Sequence, residues 1–381
     1  MNILIIGAKL QGVEAMYLAG KAGYHVVAVD HNAQAPGAGL ADEFVVADVH
    51  EEDRMLPMFL KADVVLPVIE DYDVLAKVEE YGIRTGTKVI FDLTAYGISS
   101  SKEKSNNLFV ENHLPVPGTY PECDYPVILK PDGESGSLHV KKADFPWEAE
   151  EYLKAHTDKS TVIQEYLEGR ILSLEVVGDG ENFCFPLITE VVVDGGHDCK
   201  RIIAPAEVDA EEERQMLEIG RKLADILKIK GIFDIEAISH KGKMKLLEID
   251  ARLPSQTPIS IYHSTGMNLV EMMTDLALGR ADEVKILPAQ KVCLLQQIQV
   301  RGGEIQVMGE KMMGSCSHLR IYKDFFGCTE AVTDYEEGSR DWKGIIIVTG
   351  KSRELAMEKF HSFIRNMKEK TGLANWRLAE G

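Results

Sequence analysis

Long apolar runs are missing from this sequence. Nothing in its 381 residues approaches the roughly 18 uninterrupted apolar residues that a membrane-spanning helix needs, so no such helix is expected. The opening MNILIIG is apolar for only a few positions and has no basic lead, which reads against a secretory signal. Cysteine is sparse. Cys123, Cys184, Cys199, Cys293, Cys316 and Cys328 are scattered and none belongs to a C-x-x-C pair, so a zinc ribbon and a disulfide scaffold are disfavoured and free thiols in a cytoplasmic protein are expected. Basic residues are also short: 42 Lys+Arg stand against 61 Asp+Glu, a formal charge of −19. That balance leaves no broad basic face, so neither nucleic acid nor an anionic membrane surface is an expected partner. Internal repeats and low-complexity tracts are absent too. The remainder, 45% hydrophobic and 27% charged, is ordinary globular composition, at a length that suits two or three domains.

Residues 1–98 alternate strand and helix. Strands are predicted at Asn2–Ile6, His25–Val29, Phe44–Ala47, Asp63–Val68 and Lys88–Phe91, with helices at Gln11–Lys21 and Asp71–Tyr81. This is the pattern of a Rossmann-like parallel sheet, whose chemistry sits at the strand C-termini. Residues 99–165 read as a small α+β lid: helix Ser101–His113, a proline-rich extended link, strands Tyr125–Lys130, Leu138–Lys141 and Thr161–Gln164, and helix Trp147–His156. Residues 166–381 read as an antiparallel-sheet domain with a C-terminal extension. Strands are predicted at Ser173–Val177 and Phe183–Val193, a hairpin at Ile232–Ser239 and Lys243–Ile249, and a strong helix at Glu211–Leu227.

The loop Gly7-Ala-Lys-Leu-Gln-Gly12 sits where a dinucleotide fingerprint would lie, and Asp30 imitates its ribose-binding acid. A dinucleotide oxidoreductase is therefore the alternative of a different class. Lys9 stands against it, because its side chain fills the space a glycine leaves for the pyrophosphate. A tight turn that aims side chains at a ligand accounts better for the loop. Further on, Lys102 opens a helix and Lys130 ends a strand, directly before Pro131-Asp-Gly-Glu-Ser135-Gly136-Ser137. Such a loop presents backbone N–H groups and hydroxyls to phosphate oxygens while lysine supplies charge. An ordinary hairpin turn is the plainer reading. The strand carrying Gln164, Glu165, Tyr166, Leu167 and Glu168 runs into a linker able to face an adenine.

The strongest signal is Gly231–Pro258. Period-two alternation places Asp234 with Glu236 on one strand face, and Glu248 with Asp250 on the returning one. Clustered carboxylates repel unless a divalent cation lies among them, and oxygen ligands shared with phosphates suit Mg²⁺. Arg252 follows, placed to stabilise a transferring phosphoryl group.

In this order, the pieces resemble the ATP-grasp superfamily of carboxylate–amine ligases. The usual ending Glu-x-Asn-x-Arg reads here Glu248-Ile-Asp250-Ala-Arg252, with Asp in place of Asn, and Arg170 follows the linker where the family commonly has an acid for the ribose. The segments GAKLQG, VLPVIEDYD, QEYLEG, SLEVVGDG, DIEAI and EIDARLPSQTP resemble in particular the branch that joins 3-methylornithine to L-lysine in pyrrolysine biosynthesis. The resemblance implies an α/β ATP-grasp fold, with ATP and Mg²⁺ as cofactors, and amide formation through an acyl phosphate. It implies nucleotide contacts at Lys9, Lys102, Lys130, Ser135, Gly136, Ser137 and Gln164 to Glu168, metal ligands at Glu236, Glu248 and Asp250, and catalysis by Arg252 and Lys130. Leu10, Gln11 and Glu70 are the expected contacts of lysine. Asp234, Ser255 and Thr257 are those of the ornithine-type substrate, with a substrate loop at Asp194–Pro205. Relatives of this kind are often homodimers. Other ATP-grasp ligases, of D-amino-acid, peptide or purine-pathway type, would share the lobes and differ at 194–205 and 255–257.

Overall fold

The computed structural model of the protein describes residues 1–134, 136–157, 160–316, 318–372 and 379–380. Ser135, one of the expected phosphate contacts, lies outside the described residues.

The first part is a five-stranded parallel sheet of Asn2–Ile6, His25–Asp30, Glu43–Val46, Val64–Pro67 and Lys88–Val89, in spatial order third, second, first, fourth, fifth. A strand covered on both faces must be apolar at successive positions, which is why Asn2–Ile6 reads NILII and is buried after its first residue. Its alternate side chains enter different cores. Leu4 and Ile6 pack with Met55, Phe59, Val78 and Tyr81 of the helices Glu52–Phe59 and Tyr72–Thr85. Ile3 and Ile5 pack with the helix Leu10–Lys21 and, continuously, with the helices Thr257–Thr265 and Leu269–Ala277 from the far end of the chain. The parallel sheet thus shares its main core with the rest of the molecule.

A three-stranded sheet, Lys141–Ala143, Val127–Pro131 and Thr161–Glu165 in that order, carries the helix Pro146–Ala155. The strand expected at Leu138–Lys141 is displaced. The chain keeps turning through Ser137 and His139, both at positive φ (54° and 57°), and pairs only from Lys141. The loop after Lys130 is correspondingly longer than the sequence pattern suggests.

The third unit is a twelve-stranded, mainly antiparallel sheet. The strand expected over Phe183–Val193 is broken into Phe183–Cys184 and Ile188–Val193. Pro186 lies in the gap, and it has no N–H to give to the ladder. The hairpin Lys230–His240 and Lys243–Asp250 forms as expected. Its apolar face, with Phe233, Ile235, Ala237, Leu246 and Ile249, packs on Met216, Ile219 and Leu223 of the helix Ala210–Leu227. That helix is held at its start by a capping box between Asp209 and Glu212. The opposite, polar face of the hairpin shares a cavity with residues of the small lid. Among the described residues no helix is long and apolar enough to cross a membrane.

Candidate active site

The polar face of the hairpin is laid out by register. Asp234 pairs with Asp250 on one side and with Glu175 of the strand Arg170–Asp179 on the other; Glu236 pairs with Glu248 and with Ser173. Directly opposed residues in an antiparallel ladder share a face, so the four expected acids stand together. Leu247, the extra residue of a bulge between Glu236 and Ala237, interrupts the ladder beside Glu248. Burial is the main cause of the electrostatics. It pushes Glu236 up to about 8, with Glu248 and Asp250 adding repulsion, and Asp250 up to about 6 despite the adjacent Arg252. Asp234 is raised well above the carboxylate range for the same first reason, and one of its oxygens has no hydrogen-bond partner among the described residues.

Glu236, Glu248 and Asp250 floor a cavity of about 820 Å³. Lys102, Lys130, Gly136, Ser137 and the run Gln164 to Glu168 complete it, together with Glu236, Glu248, Asp250 and Arg252. Lys130 is depressed by burial, an effect partly reversed by Glu248 and Glu236. Lys102 donates to the carbonyl of Glu134, and Ser137 Oγ donates to the carbonyl of His197 at 2.8 Å, so the lid loop touches the turn of the expected substrate loop. Gln164 is oriented by Asn106, which accepts from its Nε2 at 3.0 Å. Arg170 faces away, with Glu212 at 2.8 Å.

A second cavity of about 750 Å³ opens between the C-terminal edge of the parallel sheet and the same hairpin. It shares Glu70, Gly136 and Arg252 with the first. Leu10, Gln11 and Glu70 line it, as expected for a co-substrate wall. Glu70 Oε1 accepts from Gln11 Nε2 at 2.8 Å and lies 2.9 Å from Arg252 Nε, while Arg252 Nη2 is 3.1 Å from Asp250. The carboxylates of Asp250, Glu70 and Asp234 outweigh the burial of Arg252 and keep its guanidinium firmly charged.

Four expected positions fall elsewhere. Lys9 lines the second cavity and not the nucleotide-sized first one, because it immediately precedes the helix Leu10–Lys21 at the sheet edge. Asp234 and Thr257 are buried beneath the site and line neither cavity. Ser255 lines neither as well; its Oγ donates to Glu310 at 2.5 Å. Asp30 does not wait for a ribose. Its carboxylate accepts from the backbone N–H groups of Ala8 and Asn32, both at 2.8 Å, and so holds the Gly7 turn. Gly7 itself is at φ +103°, and a Cβ there would lie 2.5 Å from Ile69. This is a packed turn without room for a pyrophosphate, against the oxidoreductase alternative.

Several residues went unread in the sequence. Glu310 and Lys311 line the second cavity from the segment Glu310–Ser315. Glu14 is another: a fully buried acid on the helix Leu10–Lys21, it accepts from the backbone N–H of Gln256 at 2.6 Å and of Ile259 at 3.0 Å, capping the helix Thr257–Thr265 from outside. For Glu14 the one cue was an acid on an otherwise apolar helix.

A cation-lined cavity over paired acids, covered by a small lid and abutting a second cavity, is the arrangement of an ATP-grasp ligase. Residues 99–256 match the ATP-grasp domain family, and residues 3–90 match the family described as PylC-like, N-terminal domain. Among solved structures, an ADP complex of N5-carboxyaminoimidazole ribonucleotide synthetase superposes with a TM-score of 0.74 at 16% identity, covering 95% of this chain and 96% of that one. An L-amino acid ligase from Bacillus licheniformis gives 0.69 at 16% identity, covering 96% and 97%. Both establish the fold. Sequence relatives go further: a 3-methyl-D-ornithine–L-lysine ligase from Methanosarcina mazei is 36% identical over 314 residues, 82% of each chain. The ligase of that description from Methanosarcina acetivorans is 33% identical over 375 residues, 98% of this chain and 99% of that one. The chain belongs to the family of 3-methyl-D-ornithine–L-lysine ligases.

Proposed function

We propose that this protein joins the carboxylate of 3-methyl-D-ornithine to the ε-amine of L-lysine, converting ATP to ADP and phosphate, in pyrrolysine biosynthesis. The observation that carries this reading is the contact of the two cavities at Arg252, above the in-register acids. The first cavity takes the nucleotide, with its triphosphate under Gly136 and Ser137 and against Lys102 and Lys130, and its base against Gln164 to Glu168. The second takes amino acids, with lysine against Leu10, Gln11 and Glu70.

The donor set fits magnesium. Glu236 and Glu248 face each other in register, and burial with mutual repulsion leaves Glu236 reluctant to ionise until a cation arrives. No group of three such side chains is already drawn to metal-binding distance among the described residues. That is the situation Mg²⁺ tolerates, since it commonly takes one or two carboxylates and fills its shell with phosphate and water. Glu236 and Glu248 would hold it, with Asp250 beside them as the further expected ligand, and when bound it would supply neutralisation of the phosphate charge.

The residues of the chain then have separable tasks. Lys130 and Lys102 balance the γ-phosphate as a carboxylate oxygen of the ornithine-type substrate attacks it in line and ADP leaves. Arg252, fixed by Asp250 and Glu70, stabilises the charge on the transferring group. The lid loop, held by Ser137 on His197, keeps water from the acyl phosphate. Attack of the lysine amine on the acyl carbon forms the amide as phosphate departs.

The test is an ATP-dependent coupling assay with D-ornithine and L-lysine, read by product mass and by ADP formed. One amide product per ADP is expected. Equal rates when glycine or aspartate replaces both amino acids would remove the narrow assignment and leave only an ATP-grasp ligase.

A further inference from the structure

Glu310 comes from outside the segment that carries every nucleotide motif, yet it reaches the second cavity. It is not a loosely placed surface acid. Its Oε2 accepts two hydrogen bonds, from Ser255 Oγ at 2.5 Å and from Gln256 Nε2 at 2.8 Å. No hydrogen bond between described residues engages Oε1, so one oxygen is anchored and the other is left to the cavity. The flanking backbone is pinned as well: Asp198 Oδ2 accepts from the N–H of Lys311 at 3.2 Å. Gly309 is packed so tightly on the Asp198 carboxylate that a Cβ there would overlap it.

The donor on the other side is itself held under strain. Gln256 is a non-glycine residue at φ +76°, with its N–H fixed by Glu14 and its side-chain oxygen 3.4 Å from Cys199 Sγ. Strained backbone of this kind persists where surrounding contacts over-determine it, and here the result is that Nε2 meets Glu310. Arg252 lines the same cavity. A fixed guanidinium and a fixed carboxylate facing one space match the two charged groups that every α-amino acid carries on a single carbon.

We propose that Glu310 binds the α-ammonium group of the substrate whose carboxylate is activated, forming with Arg252 a clamp for the α-amino-carboxylate unit. This deepens the function proposed above and rests on it. The clamp explains the pairing Ser255-Gln256: both residues act through Glu310. It gives the enzyme a means of choosing an α-amino acid over a plain carboxylic acid, because a carboxylate left without its cation in this site is costly. It also orients the α-carbon, so the rest of the side chain has one direction available for each configuration.

The test compares D-ornithine with 5-aminopentanoate, which is the same molecule without the α-amine, each with lysine and ATP. In the unmodified enzyme, kcat/KM for D-ornithine should exceed that for 5-aminopentanoate by about 10²-fold or more. Glu310→Gln keeps the shape and should lower kcat/KM for D-ornithine by about 10²-fold, through KM, while changing 5-aminopentanoate by less than about threefold. Glu310→Asp, which keeps the charge, should recover part of the discrimination. Equal losses for both substrates would make Glu310 a packing residue and overturn the clamp; so would a rise in KM for lysine with that for D-ornithine unchanged. Absence of any D-ornithine–lysine product from the unmodified enzyme would instead overturn the proposed function itself.

Discussion

The two cavities meet at Arg252 and Glu70 but are built in opposite ways. Apart from Glu70, the first is lined entirely from residues 96 to 252, with lysines set against carboxylates that burial holds in reluctant ionisation. The second is assembled from residues 6–11, 29–31, 47–50, 68–74, 136–138 and 310–314, with Arg252. A triphosphate presents the same dense charge whatever is attached to it, so one contiguous stretch of chain can carry its recognition. Two diamino acids must be told apart from other amino acids, and that takes walls from several places. On the proposed assignment, charge handling is concentrated in one stretch and discrimination is distributed.

The comparison can be broken most sharply at Glu248. Glu248→Gln should reduce phosphate release in the presence of both amino acids by about 10²–10³-fold, with the KM for lysine unchanged. Near-normal release would mean that the first cavity is not where phosphoryl transfer occurs. A smaller effect is expected at the shared wall. Glu70→Ala removes an ion pair to Arg252 and the partner of Gln11, and hydrogen bonds to charged groups contribute about 1.5–3 kcal/mol. The apparent affinity for lysine should fall by about tenfold while the KM for ATP stays within about twofold. An unchanged lysine affinity would detach the second cavity from that substrate.

The smallest effect is on stability. Glu236, with an ordinary value of 4.5, is raised to about 8 by burial and by its acidic neighbours. A carboxyl raised on folding contributes stability fully below about 4.5 and loses it as pH climbs through about 8. Without metal, the melting temperature should therefore decline between those limits. Glu236→Gln should flatten part of that decline, and Mg²⁺ with ADP should flatten it too, since both remove the cost of ionising that position. A metal-free melting curve that rises over this range would contradict the burial of the acids.

How much was readable follows from the same contrast. Acids at period two between GIF and LLEI in the hairpin favour a polar face on a half-buried strand over a solvent-facing hairpin, so Asp234, Glu236, Glu248 and Asp250 were visible as a group. Register then added what spacing cannot show, namely that Asp234 also faces Glu175 and lies beneath the cavity. Asp30 could be read two ways, because an acid that holds a turn and an acid that binds a ribose end the same kind of strand; Lys9 favoured the turn, and the turn is what Asp30 holds. Glu310 was invisible for a plainer reason. It sits in GEKMMGS, a short helical turn without periodicity, and its partner Ser255 is 55 residues away.

Glu14 carries a consequence for how the molecule can be taken apart. The helix that follows the acidic hairpin has its first turn completed by a side chain from the N-terminal sheet unit, and the core beneath is common to both. Cutting the chain near residue 98 would strip two buried amides of their acceptor and open an apolar face at once. The N-terminal sheet unit is thus structurally continuous with the unit that carries the acidic hairpin. A chimera that borrows this unit from a relative inherits a working site only if an acid arrives at the position of Glu14 and finds the same two amides waiting.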